Sequence, residues 1–296
     1  MRSVAVLLTL TACGGATAPP ATVSNQVAAA APAFLVWTER EGAAVTRWLD
    51  ADGTERGHAD GLWIADGNRL WRLERTTRTE PTTGCRERGD GSIEPGEASL
   101  TTLALVTDGD RVELARGVAE PEVAEQQHGA GVIAGLGRYV FIEEGAYTYG
   151  CGAHGNAVAS AHTIDLATRR TVAPWVSAAE LGDLELEARA RLEDAGDQGE
   201  LHVGETIPVW VGAGLAVSHL LWVDTCYACG NGRWSSYTAA VWVGDDRVPR
   251  ALADEGGQVP PAVARALQLG DRDLDSVRTG VSWGAPTETW SATFLR

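Results

Sequence analysis

Along most of the chain, apolar and polar positions alternate in short runs that end at Asp/Gly pairs. AAVTRWLD leads into Asp50–Ala51–Asp52–Gly53. LWIA leads into Asp66–Gly67, then RLWRLE. LALV leads into Asp108–Gly109, then RVEL, and AVWV leads into Gly244–Asp245–Asp246, then RVPRAL. A period of two is that of a strand with one buried face, and Asp-Gly between β-prone runs marks a hairpin because glycine accepts positive φ. The pattern predicts a mainly β protein built from local antiparallel pairs.

The runs also repeat. GRYVFIEEGAYTYGCG (137–152) resembles GLAVSHLLWVDTCYACG (214–230); both run from glycine through a strand-like stretch to Cys-Gly. Each is followed by an Asn-containing loop, a further strand (VASAHTIDL or SSYTAAVWVGDD) and an arginine-led edge run, RRTVAPW or DRVPRAL. A weaker copy surrounds Cys85, from GLWIADGNRLWRL to SLTTLALVTDGDRVELARG. Repeated units of four antiparallel strands predict a β-propeller-like fold, with the leftover runs around Phe34–Leu49 and Val281–Phe294 pairing to close a fourth blade.

One helix interrupts the pattern, an insert near 177–196. Ser177 and Glu180 form a capping box, and Leu181, Leu184, Ala188, Leu192 and Ala195 follow at helical spacing before Gly196. A second short helix is expected after Pro260–Pro261, ending near Gly270.

Composition narrows the chemistry. The net charge of −16 opposes binding to nucleic acid. All 24 basic residues are arginine, so a Schiff base, a Walker-type phosphate loop and a lysine base are excluded. With three phenylalanines against 11 tryptophans, the indoles are expected to fill a β core.

The N-terminus, MRSVAVLLTLTAC, has Arg2 ahead of an apolar run too short to span a bilayer. Leu10–Thr11–Ala12–Cys13 resembles the lipobox of bacterial lipoproteins. That resemblance implies a signal peptide over 1–12, lipidation of Cys13 and a membrane anchor in the cell envelope, at the outer membrane or periplasmic face if the host is Gram-negative. Residues 13–32 are small, uncharged and proline-punctuated, the composition of a flexible tether. The β-rich domain is expected over 33–296.

Gly152–Ala153–His154–Gly155–Asn156, the strand ending in Asp165, the helix near 180 and the later aromatic–Cys–Gly stretch carry a second resemblance. Residues 137–250 are similar to a domain of unknown function found in lysozyme-sensing anti-sigma factors, some peptidoglycan deacetylases and uncharacterised envelope lipoproteins. It implies an envelope setting with ligand or protein binding, and an α+β two-layer domain as the alternative to the propeller. It supplies no catalytic residue.

With Cys13 set aside, Cys85, Cys151, Cys226 and Cys229 remain. An oxidising compartment favours disulfides, Cys85 with Cys151 and Cys226 with Cys229, although four cysteines permit three connectivities. The alternative is zinc, because Cys151-x2-His154 and Cys226-x2-Cys229 together make a Cys3His ligand set. Cys226–Tyr–Ala–Cys229 also has dithiol spacing, but the glycines after it oppose the helix that such chemistry uses. Cys151 beside His154 would have no orienting third group as a nucleophile. Asp50–Ala51–Asp52–Gly53 and Asp271-x-Asp273-x-Asp275 lack the glycine and closing glutamate of a calcium loop.

The expected role is a ligand- or protein-binding or structural scaffold without a cofactor, its surface around Tyr149, His154, Asn156, Tyr227, Asn231 and Trp234 in the cysteine-bearing loops. The alternative is an envelope hydrolase, metal- or thiol-dependent, using Cys151, His154, Cys226 and Cys229.

Overall fold

A hairpin with two apolar faces sits at the centre of the sheet, as the strand ranges make visible. In the computed structural model the strands are β1 (Ala33–Arg40), β2 (Ala43–Leu49), β3 (Glu55–Asp60), β4 (Trp63–Asp66), β5 (Arg69–Glu87), β6 (Ile93–Thr107), β7 (Asp110–Arg116) and β8 (Glu125–Leu136). They continue as β9 (Tyr139–Tyr149), β10 (Asn156–Asp165), β11 (Arg170–Thr171), β12 (Leu201–Val211), β13 (Gly214–Thr225), β14 (Ser236–Asp245) and β15 (Thr289–Leu295). Among the described residues three α-helices, α1 (Asp183–Arg191), α2 (Arg250–Gly256) and α3 (Pro261–Ala266), lie between them. The structure describes residues 33–40, 43–66, 69–87, 89–151, 155–180, 182–191, 201–211, 214–225, 236–266 and 289–295. The chain divides into two compact units, Met1–Ala30 and Ala31–Arg296, and every described residue belongs to the second.

The mainly β reading holds, and the repeats are real hairpins. β9 and β10 pair antiparallel, as do β13 and β14, and β5 with β6. The turn at Asp108–Gly109 is a two-residue hairpin closed by Thr107 and Asp110, with Gly109 at φ +84. The terminal runs pair as expected: Ala33 faces Leu295 and Glu39 faces Thr289 in antiparallel register.

No propeller is found among the described residues. Its blades would each end in unshared edges, whereas here hydrogen bonding runs on from one unit to the next. The order is β12-β13-β14-β10-β9-β8-β15-β1-β2-β3, with β4 to β7 attached through β6. The branch point is β8. On one side it pairs with β9 along its length. On the other, Glu125–His128 pair in parallel with β6, and Ala134–Leu136 pair in parallel with β15. A bulge between Val132 and Ala134 lies at the fork, where the added twist of a bulge helps two sheets diverge.

Both faces of the β8–β9 hairpin are therefore covered. Tyr139 and Phe141 point into one core with Phe34, Val36, Ile207, Val209, Trp242, Leu252 and Val263. Val140 and Ile142 point into another with Trp37, Ile64, Trp71, Leu103 and Leu105. Strand alternation assigns neighbours to opposite cores. The expected packing role of the indoles holds for Trp37, Trp71 and Trp242, all buried.

The α-helix of the insert starts later than expected. Ser177 N–H and its hydroxyl both donate to Glu180 Oε2, at 2.8 and 2.7 Å, but this box closes a 3-10 turn over Ala178–Glu180. α1 starts only after Gly182, whose φ is +47. Leu184 and Ala188 pack on Leu221, Val223, Val241 and Val243; Leu181, Leu192, Ala195 and Gly196 lie outside the described residues. DRVPRAL is not an edge strand. Pro249, lacking an N–H for the ladder, sits at the N-cap of α2 with φ −52, and Arg250–Gly256 are helical. The partner run RRTVAPW contributes two strand residues, Arg170 and Thr171, before leaving the sheet. The expected helix after Pro260 is α3.

Candidate functional site

Strand direction collects the cysteine-bearing segments at one end of the sheet. β9 ends at Tyr149 opposite Glu125, where β8 begins, and β10 starts at Asn156 opposite Thr148. Beside them β14 starts in parallel, with Asn156 facing Ser236 and Ala157 facing Tyr237. Thr225, the end of β13, faces Tyr237. The two loops that the repeat made equivalent thus leave and re-enter the sheet side by side. Cys85 joins them through a disulfide with Cys151, their Cα atoms 5.2 Å apart. This confirms one of the two expected bridges.

The bridge is on the surface; both half-cystines are exposed. Cys151 adopts φ +63, a left-handed conformation rare outside glycine. Next to it the Tyr147 ring lies against Gly155 with no room for a Cβ. The Tyr149 carbonyl accepts from Ala124 N–H at 2.7 Å, and the Ala124 carbonyl accepts from Thr82 Oγ1 at 2.8 Å. These bonds tie β9, β5 and the segment before β8 together beside the disulfide.

Of the expected site residues, Tyr149 and Asn156 are at this pole and Asn156 is exposed. His154, Tyr227, Asn231 and Trp234 lie outside the described residues, as do Cys226, Cys229 and Cys13. Cys151, bonded to Cys85, has no thiolate to give to the four-ligand zinc set or to a thiol nucleophile. Among the described residues, no three His, Cys, Asp or Glu side chains are placed to hold a metal ion. At Asp50–Gly53 the acids serve the turn: Asp52 Oδ1 accepts from Thr54 N–H at 2.9 Å, and Asp50 pairs with Arg56.

One step in from the pole is a cluster that the sequence reading passed over. His128, Glu144 and His162 lie on the three adjacent strands β8, β9 and β10. His128 Nε2 is 3.0 Å from Glu144 Oε2, and His162 Nδ1 is 3.4 Å from Glu144 Oε1. His162 Nε2 is 3.4 Å from the Leu114 carbonyl on β7. One carboxylate bridges two imidazoles, at the mouth of the layer between β7 and the central sheet. His128 Nδ1 is buried without a partner among the described residues.

A second polar group lies deeper, between β10, β12, β13 and β14. Thr206 Oγ1 is 2.8 Å from His219 Nδ1, and His219 Nε2 is 3.5 Å from Asp245 Oδ2. Arg247 reaches both Asp245 oxygens through Nε, at 3.0 and 2.9 Å. Burial holds His219 below its ordinary pKa, only partly offset by Asp245. The imidazole is therefore neutral; because a carboxylate only accepts, Nε2 carries the proton and Nδ1 accepts from the Thr206 hydroxyl. Burial raises Asp245 as well, but the hydrogen bonds and charge of Arg247 carry it below the usual carboxylate range. Hydroxyl, imidazole and carboxylate in line resemble a hydrolytic triad, yet Thr206 is 0% exposed, so no substrate reaches it in this conformation.

Comparison with known proteins adds one distant neighbour. A crystal structure of a DUF3298 family protein from Pseudomonas aeruginosa is 16% identical, with a TM-score of 0.32, covering 50% of this chain and 82% of that one. Overlap this low carries no argument about this chain. No protein-family model and no curated protein matches the chain.

Proposed function

We propose that this protein is a lipid-anchored binding or structural scaffold of the cell envelope, with its partner surface at the cysteine-loop pole. The observation that carries the reading is the meeting of three cysteine segments at one end of the sheet, fastened by the exposed Cys85–Cys151 bridge. A disulfide suits the oxidising space outside the cytoplasm. The chain enters the sheet at the other end: Ala33 faces Leu295, which runs past Leu136 beside the β8–β9 turn. Tyr149, His154, Asn156, Tyr227, Asn231 and Trp234 are the residues assigned to the partner surface.

Two measurements test the reading. The full chain, expressed in a bacterium fed an alkyne-bearing palmitate, is expected to take up label and sediment with membranes; Cys13→Ala is expected to lose both. An unlabelled, fully soluble parent sinks the anchor. The purified mature chain is expected to be retained on isolated peptidoglycan sacculi, with Tyr149→Ala and Asn156→Ala retained about tenfold less, the loss of one to two good contacts. Retention equal to that of the parent would remove the pole from the proposal.

A further inference from the structure

The buried group around Glu205 is bound to a specific irregularity of the terminal strand. In β12, Val203 faces Leu221 but Thr206 faces His219, so Gly204 and Glu205 together oppose the single residue Leu220. This bulge turns Glu205 inward, where it is 3% exposed. Its Oε1 accepts from Thr206 N–H at 2.8 Å. The hydroxyl and backbone of Thr163, on β10, also bond it. Thr163 Oγ1 in turn accepts from Trp175 Nε1 at 3.2 Å. Every one of these partners is neutral.

The charged and titratable groups around the bulge are already committed. His219 on β13 is neutral and bonds Thr206 and Asp245. Asp245 on β14 is held by Arg247, whose side chain reaches solvent. On β10, Asp165 accepts from Ala167 N–H and pairs with Arg138. No cation is left to face Glu205 among these groups. As an acid it is satisfied, because the Thr163 hydroxyl has a second lone pair for its proton. As a carboxylate it is a buried charge with dipoles alone to hold it.

We infer that Glu205 and the bonded chain beside it form a proton-controlled lock on β12: the acid seats the bulge against β10, and the carboxylate unseats it. The proton passes to water as the strand opens, and closing takes it back. Among the described residues β12 is the last strand of the sheet order and pairs with β13 alone, so it can lift without breaking a second ladder there. Burial, acting against the bonds from Thr206 and Thr163, raises the carboxyl to about 7. The switch therefore works near neutral pH. The lock is independent of the lipid-anchor reading.

Hydrogen exchange of the folded mature chain tests it. After correction for the intrinsic pH dependence of exchange, opening at the amides of Thr206, Ile207, Val209, Trp210 and Val211 is expected to rise roughly seventyfold from pH 5 to pH 8. Glu205→Gln, a neutral mimic of the acid, is expected to show the same opening at both. Unchanged protection of the parent, or a pH response kept by Glu205→Gln, overturns the lock. Should that variant fail to fold, the 13C resonance of the Glu205 carboxyl in the parent decides. A midpoint near neutral supports the lock, and one in the ordinary carboxylate range refutes it.

Discussion

Single atoms in the deep polar group carry consequences that can be measured. Thr206 Oγ1 is the one bonded partner of His219 Nδ1 among the described residues, and both side chains are almost fully buried. Thr206→Val keeps the shape and leaves the ring nitrogen unpaired, which costs about 1–3 kcal/mol. Urea unfolding should show that loss with an unchanged slope. Glu205 sets a pH dependence of opposite sign to the usual carboxylate. Its folded pKa of about 7 lies above the free value of 4.5, so the unfolded chain releases its proton first as pH rises. Its contribution is fully present below pH 4.5 and is lost through pH 7, about 3 kcal/mol in all. His219 acts the other way: held below its free value of 6.5, it contributes above that pH and loses the contribution as pH falls. Urea midpoints from pH 4.5 to 8 for the parent and Glu205→Gln should differ by the Glu205 component, with the parent falling faster.

Among the elements, the Cys85–Cys151 link has the clearest energetic role. It closes a sequence separation of 66 residues, for which chain entropy gives about 4 kcal/mol. The Cys85→Ser/Cys151→Ser double variant should lose about that much, and adding reductant should abolish the difference between parent and variant. This bridge was legible in the sequence because the compartment expected from the lipobox resemblance, the cysteine count and the hairpin repeats pointed the same way. Strand-level legibility was good wherever alternation and an Asp-Gly turn coincided, as at 103–114. It failed at DRVPRAL, where alternation over a few residues outweighed the proline that cannot serve a ladder. It also failed for His128 and Glu144. Simple counting back from the Leu136–Tyr139 turn places Gly131 opposite Glu144, but the bulge after Val132 makes the partner Ala130 and brings His128 diagonally within reach. A bulge of that kind leaves no mark on the apolar pattern, and neither does the one that buries Glu205.

For the whole molecule, the decisive element is the hairpin with two apolar faces. Phe141 and Ile142 are adjacent in sequence yet belong to different cores, so neither core can be dismantled while the other keeps its wall. Trp242 reports on the first and Trp71 on the second. Fluorescence of Trp71→Phe and Trp242→Phe variants should follow the same urea transition in each case, once midpoints are referred to circular dichroism. Two separated transitions would mean that the cores unfold independently. The repeated units misled at this scale because sequence similarity reports the hairpin, while the partner of each outer edge is chosen by long-range packing.

The position of β15 has a bearing on how the molecule comes into being. It is the strand translated last of all those described, yet it lies between β1 and β8, in the middle of the order. A nascent chain still lacking Thr289–Leu295 has β1, β2 and β3 made but no ladder that joins them to β8. The sheet can therefore be joined across β15 only once Thr289–Leu295 has been made, and a chain cut short ahead of Thr289 would be left with two separate ladders.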